Sequence, residues 1–432
     1  MLNLNTKLRE LEEQGKKINT GIVGAGQMGR GMVSQMFCMK GICPAIIADI
    51  DVERAKRAYE LAGVKAEDII FVSKPSDAEQ NIRKGKFVVT DDLDIVTKSI
   101  PVDVVIDATG VPEVGAKLAF DSIYNGKHIV MLNVETDVTI GPILKKMADS
   151  AGVVYTVSAG DEPGAIKELY DFVDAMGFEV LVVGKGKNNP LNVEATPDTA
   201  REKALAYDMN PKMLASFIDG TKTMVEMTCV SNATGFLPTQ KGLIGPEAKV
   251  QDLPKLFSLK EQGGILEKYK VVEYVKGVAP GVFVIVTTDL PAVKEEMAYL
   301  SMGEGPNYVL YRPYHLTSIE TPLSAARAYI YHEPTIAPKG APVSETVAVA
   351  KKDLKAGEYL DGIGGYTVYG VIDTYANAKR DNALPLGLVN SKVRLKTDVK
   401  KGQTLTYDMV ELDEDSLILQ LRRLQDRVIK ED

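Results

Sequence analysis

Histidine is scarce in this 432-residue chain, occurring only at His128, His315 and His332, so acid–base chemistry falls to lysines and carboxylates. These gather between residues 160 and 227. The run Ser158-Ala159-Gly160-Asp161-Glu162-Pro163-Gly164 puts two adjacent carboxylates in a glycine-rich turn. Such a pair can hold a divalent cation, Mg or Mn, or a substrate hydroxyl. Equally, Asp161 can cap the following helix with Glu162 in its first turn. Lys185 and Lys187 flank Gly186 in a stretch that runs on into Asn188 and Asn189. A lysine there can give a proton to a developing alkoxide or bind a phosphate, with the asparagines orienting hydroxyls. The plain alternative is a solvated loop. Ile218 to Met227 reads as one helical stretch with Asp219, Lys222 and Glu226 on one face. Lys187 or Lys222 is the expected proton donor. Arg312 and His315 are weaker candidates for anion binding or proton transfer.

A second constellation lies near the start of the chain. Gly24, Gly26 and Gly29 form G-x-G-x-x-G around Gln27 and Met28, after a strand and at the opening of a helix. The glycines permit a tight turn, close approach of a pyrophosphate and close helix packing. The helix N-terminus then meets the anion. Asp49 lies twenty residues beyond Gly29 at the end of the next strand, where an acid accepts hydrogen bonds from ribose hydroxyls. That favours NAD over NADP, although Arg54 and Lys56 are close enough to weaken the preference. Ala108-Thr109-Gly110, Asn133 and Glu135 follow later strands and face the same crevice. Glu135 can alternatively serve the dipole of its own helix. His128 opens a strand and reads as structural.

These residues need a frame. Strands at 18–23, 44–48, 102–107, 128–131 and 153–157 alternate with helices at 28–39, 54–61, 112–125 and 139–150, with Asp51 as a helix cap. This is the pattern of a doubly wound parallel sheet. Residues 66–100 insert a helix and an extended stretch, with a strand and turn at Val88 to Asp92 expected at the sheet edge. Beyond residue 158 come helices at 165–176, 199–207 and 212–228, strands at 180–183 and 281–287, and a helix at 321–331. Glycine and asparagine after Val183 suggest an irregular loop. The proline-rich segment 334–342 reads as a linker. After it, Asp353 to Leu360 and Asp398 to Leu405 share the pattern D-x-K-x-G-x-x-L, the sign of a small pseudo-symmetric β domain.

The fold class is therefore α/β. Residues 1–157 form an N-terminal Rossmann domain, doubly wound around a parallel sheet and open to completion by 306–338. Residues 158–305 form a central α+β domain for substrate and oligomer contacts, and 339–432 a small C-terminal β domain. Lys plus Arg is 51 and Asp plus Glu is 59, a net charge of −8, which disfavours nucleic-acid binding. Three cysteines without a CxxC pair argue against a disulfide framework or structural zinc and suit a reducing cytosol. The charged N-terminus does not look like a signal peptide, and no apolar run reaches 18 residues, so a cytoplasmic protein without a membrane span is expected.

The runs Gly160-Asp161-Glu162-Pro163, Gly184 to Asn192, Asp219 to Met227 and Arg312 to Thr317 resemble the 1-deoxy-D-xylulose 5-phosphate reductoisomerase-like oxidoreductases. These are relatives of homoserine dehydrogenase with a C-terminal SAF domain. The resemblance spans nearly the whole chain and implies an SAF-like β-clip after the linker. It also implies a metal-assisted skeletal rearrangement followed by hydride transfer from NADPH. The sequence departs from the usual reductoisomerase in its metal-binding signature, and Asp49 suits NAD. The expectation is an NAD- or NADP-dependent, homo-oligomeric (dimeric or tetrameric) oxidoreductase acting on a small hydroxylated carbonyl compound or phosphosugar. A homoserine-dehydrogenase-like enzyme without isomerisation, or a non-catalytic sensor of sugar and redox state, are the alternatives.

Overall fold

Seven short strands lie in the first half, and most are apolar and buried along nearly their whole length, as strands covered on both faces must be. In the computed structural model they are β1 (Ile18–Val23), β2 (Ile42–Ala48), β3 (Ile69–Phe71), β4 (Phe87–Thr90), β5 (Val104–Asp107), β6 (His128–Met131) and β7 (Tyr155–Val157). All pair in parallel, in the order β3-β4-β2-β1-β5-β6-β7. The doubly wound sheet is thus observed. One local expectation changes: β4 is an inner strand, and the edge is taken by β3, where Phe71 is exposed. The three-residue run Ile69–Phe71 is too short to stand out by periodicity. The structure describes residues 3–207 and 209–430. Asp208, residues 1–2 at the head of the first expected domain and residues 431–432 at the tail of the last lie outside the described residues.

The chain divides into two units. Among the described residues, the first contains 3–161, 316–337 and 415–430. Its core joins Ile22, Ile47, Val89, Ile106 and Val130 of the sheet to Met32 and Tyr59 of its helices, and to Ala325 and Ala326 of the helix Thr321–Tyr331. The later segments are built in closely. Ile336 O accepts from Val157 N (2.8 Å), and Thr317 N donates to Gly160 O (2.8 Å). The helix Leu417–Val428 is capped by Glu113, which accepts from Leu417 N (2.8 Å) and Ser416 Oγ (2.7 Å).

The second unit contains residues 162–315 and 338–414 among those described. It is built on β8 (Glu179–Lys187), β9 (Leu237–Pro238), β10 (Val271–Lys276), β11 (Val282–Thr287) and β12 (Asn307–Arg312). Their order is β12-β11-β8-β10-β9, so β8 lies in the middle, parallel to β10 and antiparallel to β11. Later in the chain, β13 (Ser344–Ala350) and β14 (Val368–Thr374) form an antiparallel pair, as do β15 (Arg394–Leu395) and β16 (Val410–Glu411). The two copies of D-x-K-x-G-x-x-L meet. Leu354 and Val399 exchange both backbone hydrogen bonds. Lys355 pairs with Asp398 (2.8 Å) and Lys400 with Asp353 (2.9 Å), while each aspartate also accepts a backbone N–H from the other copy.

Two further expectations are corrected. The segment Gly184 to Lys187 is not a loop: β8 continues to Lys187. Here glycine serves close packing, because a Cβ on Gly184 would stand 2.6 Å from the Phe283 ring and one on Gly186 2.3 Å from Ala279 N. The stretch 212–228 is not one helix. Pro211–Ile218 ends at Asp219, and Thr221–Thr234 begins after Gly220, whose φ of +89° no helix interior accommodates. Asp219 therefore does not share a helical face with Lys222 and Glu226, which stand four apart on the second helix.

Candidate active site

The nucleotide end is organised by the strand-order reversal between β1 and β5, where a crevice opens at the carboxyl edge of a doubly wound sheet. Gly24 follows β1 with φ +102°, and a Cβ there would strike Ala108 O at 2.7 Å. A Cβ on Gly29 would meet Gly24 O at 2.1 Å, so the helix Gln27–Cys38 packs directly on the turn. At Gly26 the space is open, with no atom within 4 Å of an added Cβ, and Gln27 beside it is exposed. An open turn over a helix N-terminus whose first N–H groups lack intrahelical acceptors fits a pyrophosphate. Met28, the next residue of that turn, is half-buried.

Asp49 reaches back to this turn. Its Oδ2 accepts from Ala25 N (2.7 Å) and its Oδ1 from Asp51 N (2.9 Å). A carboxylate has about four acceptor sites, so it can still take ribose hydroxyls. Arg54 and Lys56 turn elsewhere, to Asp51 (3.3 Å) and Glu53 (2.7 Å). At the end of β5, buried Asp107 accepts from Thr109 N (2.8 Å), Thr109 Oγ1 (2.7 Å) and Asn133 Nδ2 (3.0 Å). Burial pushes its carboxyl up to about 6 against these three bonds. Asn133 also caps the helix Val134–Ala151 through Thr136 N, so it builds the crevice wall. Glu135 is buried in that helix's first turn. The Asp107 network escaped sequence reading, although a polar residue ending an all-apolar strand was its signal. His128 is structural, accepting from Val154 N (3.0 Å) with its imidazole edge-on to His332.

In the second unit, strand alternation throws Lys185 and Lys187 to one face of β8. Lys185 is buried between Glu162 (2.5 Å), at the start of the helix Glu162–Ala175, and Glu226 of the helix Thr221–Thr234. Burial opposes its charge, but the two carboxylates outweigh burial and hold the ammonium well above its usual range. His315 Nε2 lies 3.4 Å from the same Glu162 oxygen. Lys187 is also buried, and its Nζ donates to Phe217 O (2.9 Å). Burial, then repulsion from Lys185, brings it down to about 8, although Glu226 and Asp219 pull the other way. Asp219 is buried, accepts from Thr221 N (2.8 Å) and pairs with Lys351 at 2.7 Å.

The structure thus brings together Glu162, Lys185, Glu226 and His315, with Lys187 two residues along the same strand and near Asp219. Asp161, buried, is the last residue of the first unit. Asn188 is exposed, and Asn189 is turned to Lys203 (2.9 Å). Lys222 is half-buried on the first turn of its helix. Arg312 pairs with Glu168 (3.1 Å) and lies over the Tyr314 ring. Lys351 was missed; it stands far away in sequence, among other surface-like lysines. The G-K-G-K alternation of β8 was the legible signal for its two lysines.

Residues 24–157 match the family model for the NAD-binding domain of homoserine dehydrogenase, and residues 160–321 match the model for the catalytic domain of oxidoreductase DRL. No curated protein matches the sequence at a significant level. Among solved structures, the chain is similar to an NAD-binding oxidoreductase from Klebsiella pneumoniae (15% identity over 68% of this chain and 66% of that one, TM-score 0.32). It is also similar to scyllo-inositol dehydrogenase from Lactobacillus casei (13%, 69% and 76%, TM-score 0.36) and to a dehydrogenase from Chromobacterium violaceum (19%, 47% and 54%, TM-score 0.29). The chain spans about half the length of the last of these. With an NAD-binding-domain match followed by an oxidoreductase catalytic-domain match, the chain is an NAD(P)-dependent oxidoreductase. Among the described residues, no helix is long and apolar enough to cross a membrane.

Proposed function

We propose that this oxidoreductase interconverts a CH–OH group and a carbonyl on a small polyhydroxylated substrate, with Lys187 as the proton-transferring group. The observation that carries this reading is Lys187 itself: a buried lysine brought down to about 8 in the matched catalytic domain. A group with pKa near the working pH exchanges protons best in both directions. NAD(P), when bound over the Gly24–Gly29 turn, supplies the hydride acceptor or donor. Lys187 accepts the hydroxyl proton on oxidation and returns it to the carbonyl oxygen on reduction. Lys185, held between Glu162 and Glu226, keeps a fixed positive charge beside Lys187, and the two carboxylates offer acceptors for substrate hydroxyls. A divalent cation at Asp161 and Glu162 and a skeletal rearrangement before hydride transfer are the finer reading carried by the reductoisomerase resemblance. The SAF-like character of the segment after the linker belongs to the same reading, and the reciprocal repeat supports it.

The test is a panel of polyols, hydroxy-carbonyl compounds and phosphosugars with each nicotinamide cofactor, with and without Mg or Mn. Cofactor turnover on an unphosphorylated polyol supports the proposal, and inertness across the panel overturns it. NMR of the product shows whether the carbon skeleton has changed.

A further inference from the structure

The segment after residue 337 is matched by neither family model, yet it reaches the reaction centre proposed above. Lys351, which follows β13, is buried and makes three contacts. It pairs with Asp219 Oδ2 (2.7 Å) and donates to Ala195 O (2.6 Å) and Gly365 O (2.8 Å). Asp219 ends the helix Pro211–Ile218, and the last turn of that helix supplies Phe217 O, the acceptor that fixes Lys187 Nζ. Neighbouring contacts support the same junction. Lys212 donates to Asp361 O, and Gly370 N donates to Thr221 Oγ1 (2.8 Å). Burying an ammonium costs several kcal/mol unless it is paired and hydrogen-bonded, so a lysine placed here needs all three partners.

We propose that Lys351 is a positioning residue of the reaction: it neutralises and holds Asp219, and through that helix end sets the place and the protonation of Lys187. The inference rests on the reading of Lys187 as the proton-transferring group. The charged groups acting on Lys187 are Lys185 on its own strand, Glu226 on the helix Thr221–Thr234, Asp219 at the helix end and Lys276 on β10. Of these, Asp219 is the one Lys351 controls. Removing Lys351 leaves the negative charge of Asp219 unopposed, which favours protonated Lys187. Removing Asp219 leaves Lys351 unopposed and does the reverse.

The experiment is the pH profile of kcat for carbonyl reduction in the full chain. Wild type should lose activity as pH rises through about 8, where Lys187 deprotonates. In Lys351→Met that limb should move up by about one pH unit, and in Asp219→Asn it should move down. In the double variant it should return near its original place, with KM for the cofactor changed little throughout. A residue that merely supports the fold would lower activity without moving the limb in opposite directions. If Lys351→Met does not fold, Asp219→Asn and the double variant, which has no unpaired buried charge, carry the test. A limb that stays fixed in the variants overturns the role of Lys351. A limb that survives in Lys187→Met overturns the underlying assignment instead.

Discussion

At the scale of single residues, two side chains carry separable predictions. Lys187→Met removes the proposed proton donor without touching the nucleotide turn. It should lower kcat by about 10²–10⁴-fold and abolish the pH limb near 8, while dissociation of NAD(P)H measured by nicotinamide fluorescence changes little. Asp49 sits against the glycine turn, accepting from Ala25 N (2.7 Å), and its neighbours Arg54 and Lys56 are already paired with other acids. Asp49→Ala should therefore weaken NADH binding and narrow the gap between NADH and NADPH, read as the ratio of their kcat/KM values. Asp107 makes a stability prediction. Its folded pKa of about 6 lies above the ordinary 3.8, so the protonated form is favoured in the fold. Its stabilisation is full below about pH 4 and is lost as pH rises through 6, on the order of 2–3 kcal/mol. Urea unfolding of wild type against Asp107→Asn across pH 4–7 checks this: the difference between them should change with pH in that window.

At the scale of elements, legibility followed the strength of local signals. The parallel strands and the G-x-G-x-x-G turn were readable because apolar runs and glycine spacing are local properties. The extent of β8 was not, because glycine in a strand looks like a turn until the Phe283 ring that fills its space is known. The helix break at Gly220 was hidden by apolar flanks that sustain a helical pattern across it. Glu162, Lys185 and Glu226 were each singled out, but their union depends on one strand meeting two helices, which no spacing encodes. One element takes its remedy from another. The helix Val134–Ala151 carries Pro142, which can donate no backbone hydrogen bond. Beside it, the Gln425 amide accepts from Ile143 N (3.2 Å) and donates to Thr139 O (3.3 Å), clamping both groups of one helical rung. Arg422 donates to the same Thr139 carbonyl (3.2 Å). Gln425→Leu should leave these buried groups short of partners and cost about 2–3 kcal/mol in chemical denaturation. NAD(P)H binding should weaken with it, because the N-terminal turn of this helix forms the crevice wall.

At the scale of the molecule, the chain leaves its nucleotide-binding unit at residue 161 and re-enters it twice, at 316–337 and 415–430. The sequence offered no sign of the second return, since the helix Leu417–Val428 has an ordinary amphipathic pattern that names no partner. Gln425 and Ile143 are 282 positions apart. On a ribosome, the sheet of the first unit is made early, but the Arg422 and Gln425 side chains that clamp its helix Val134–Ala151 emerge only after the second unit. Until then the nascent unit has exposed apolar helix faces, a state in which chains associate or meet chaperones. The cofactor-binding half is thus finished only after the intervening residues 338–414 of the second unit have been made, and a chain stopped before residue 415 cannot finish that half.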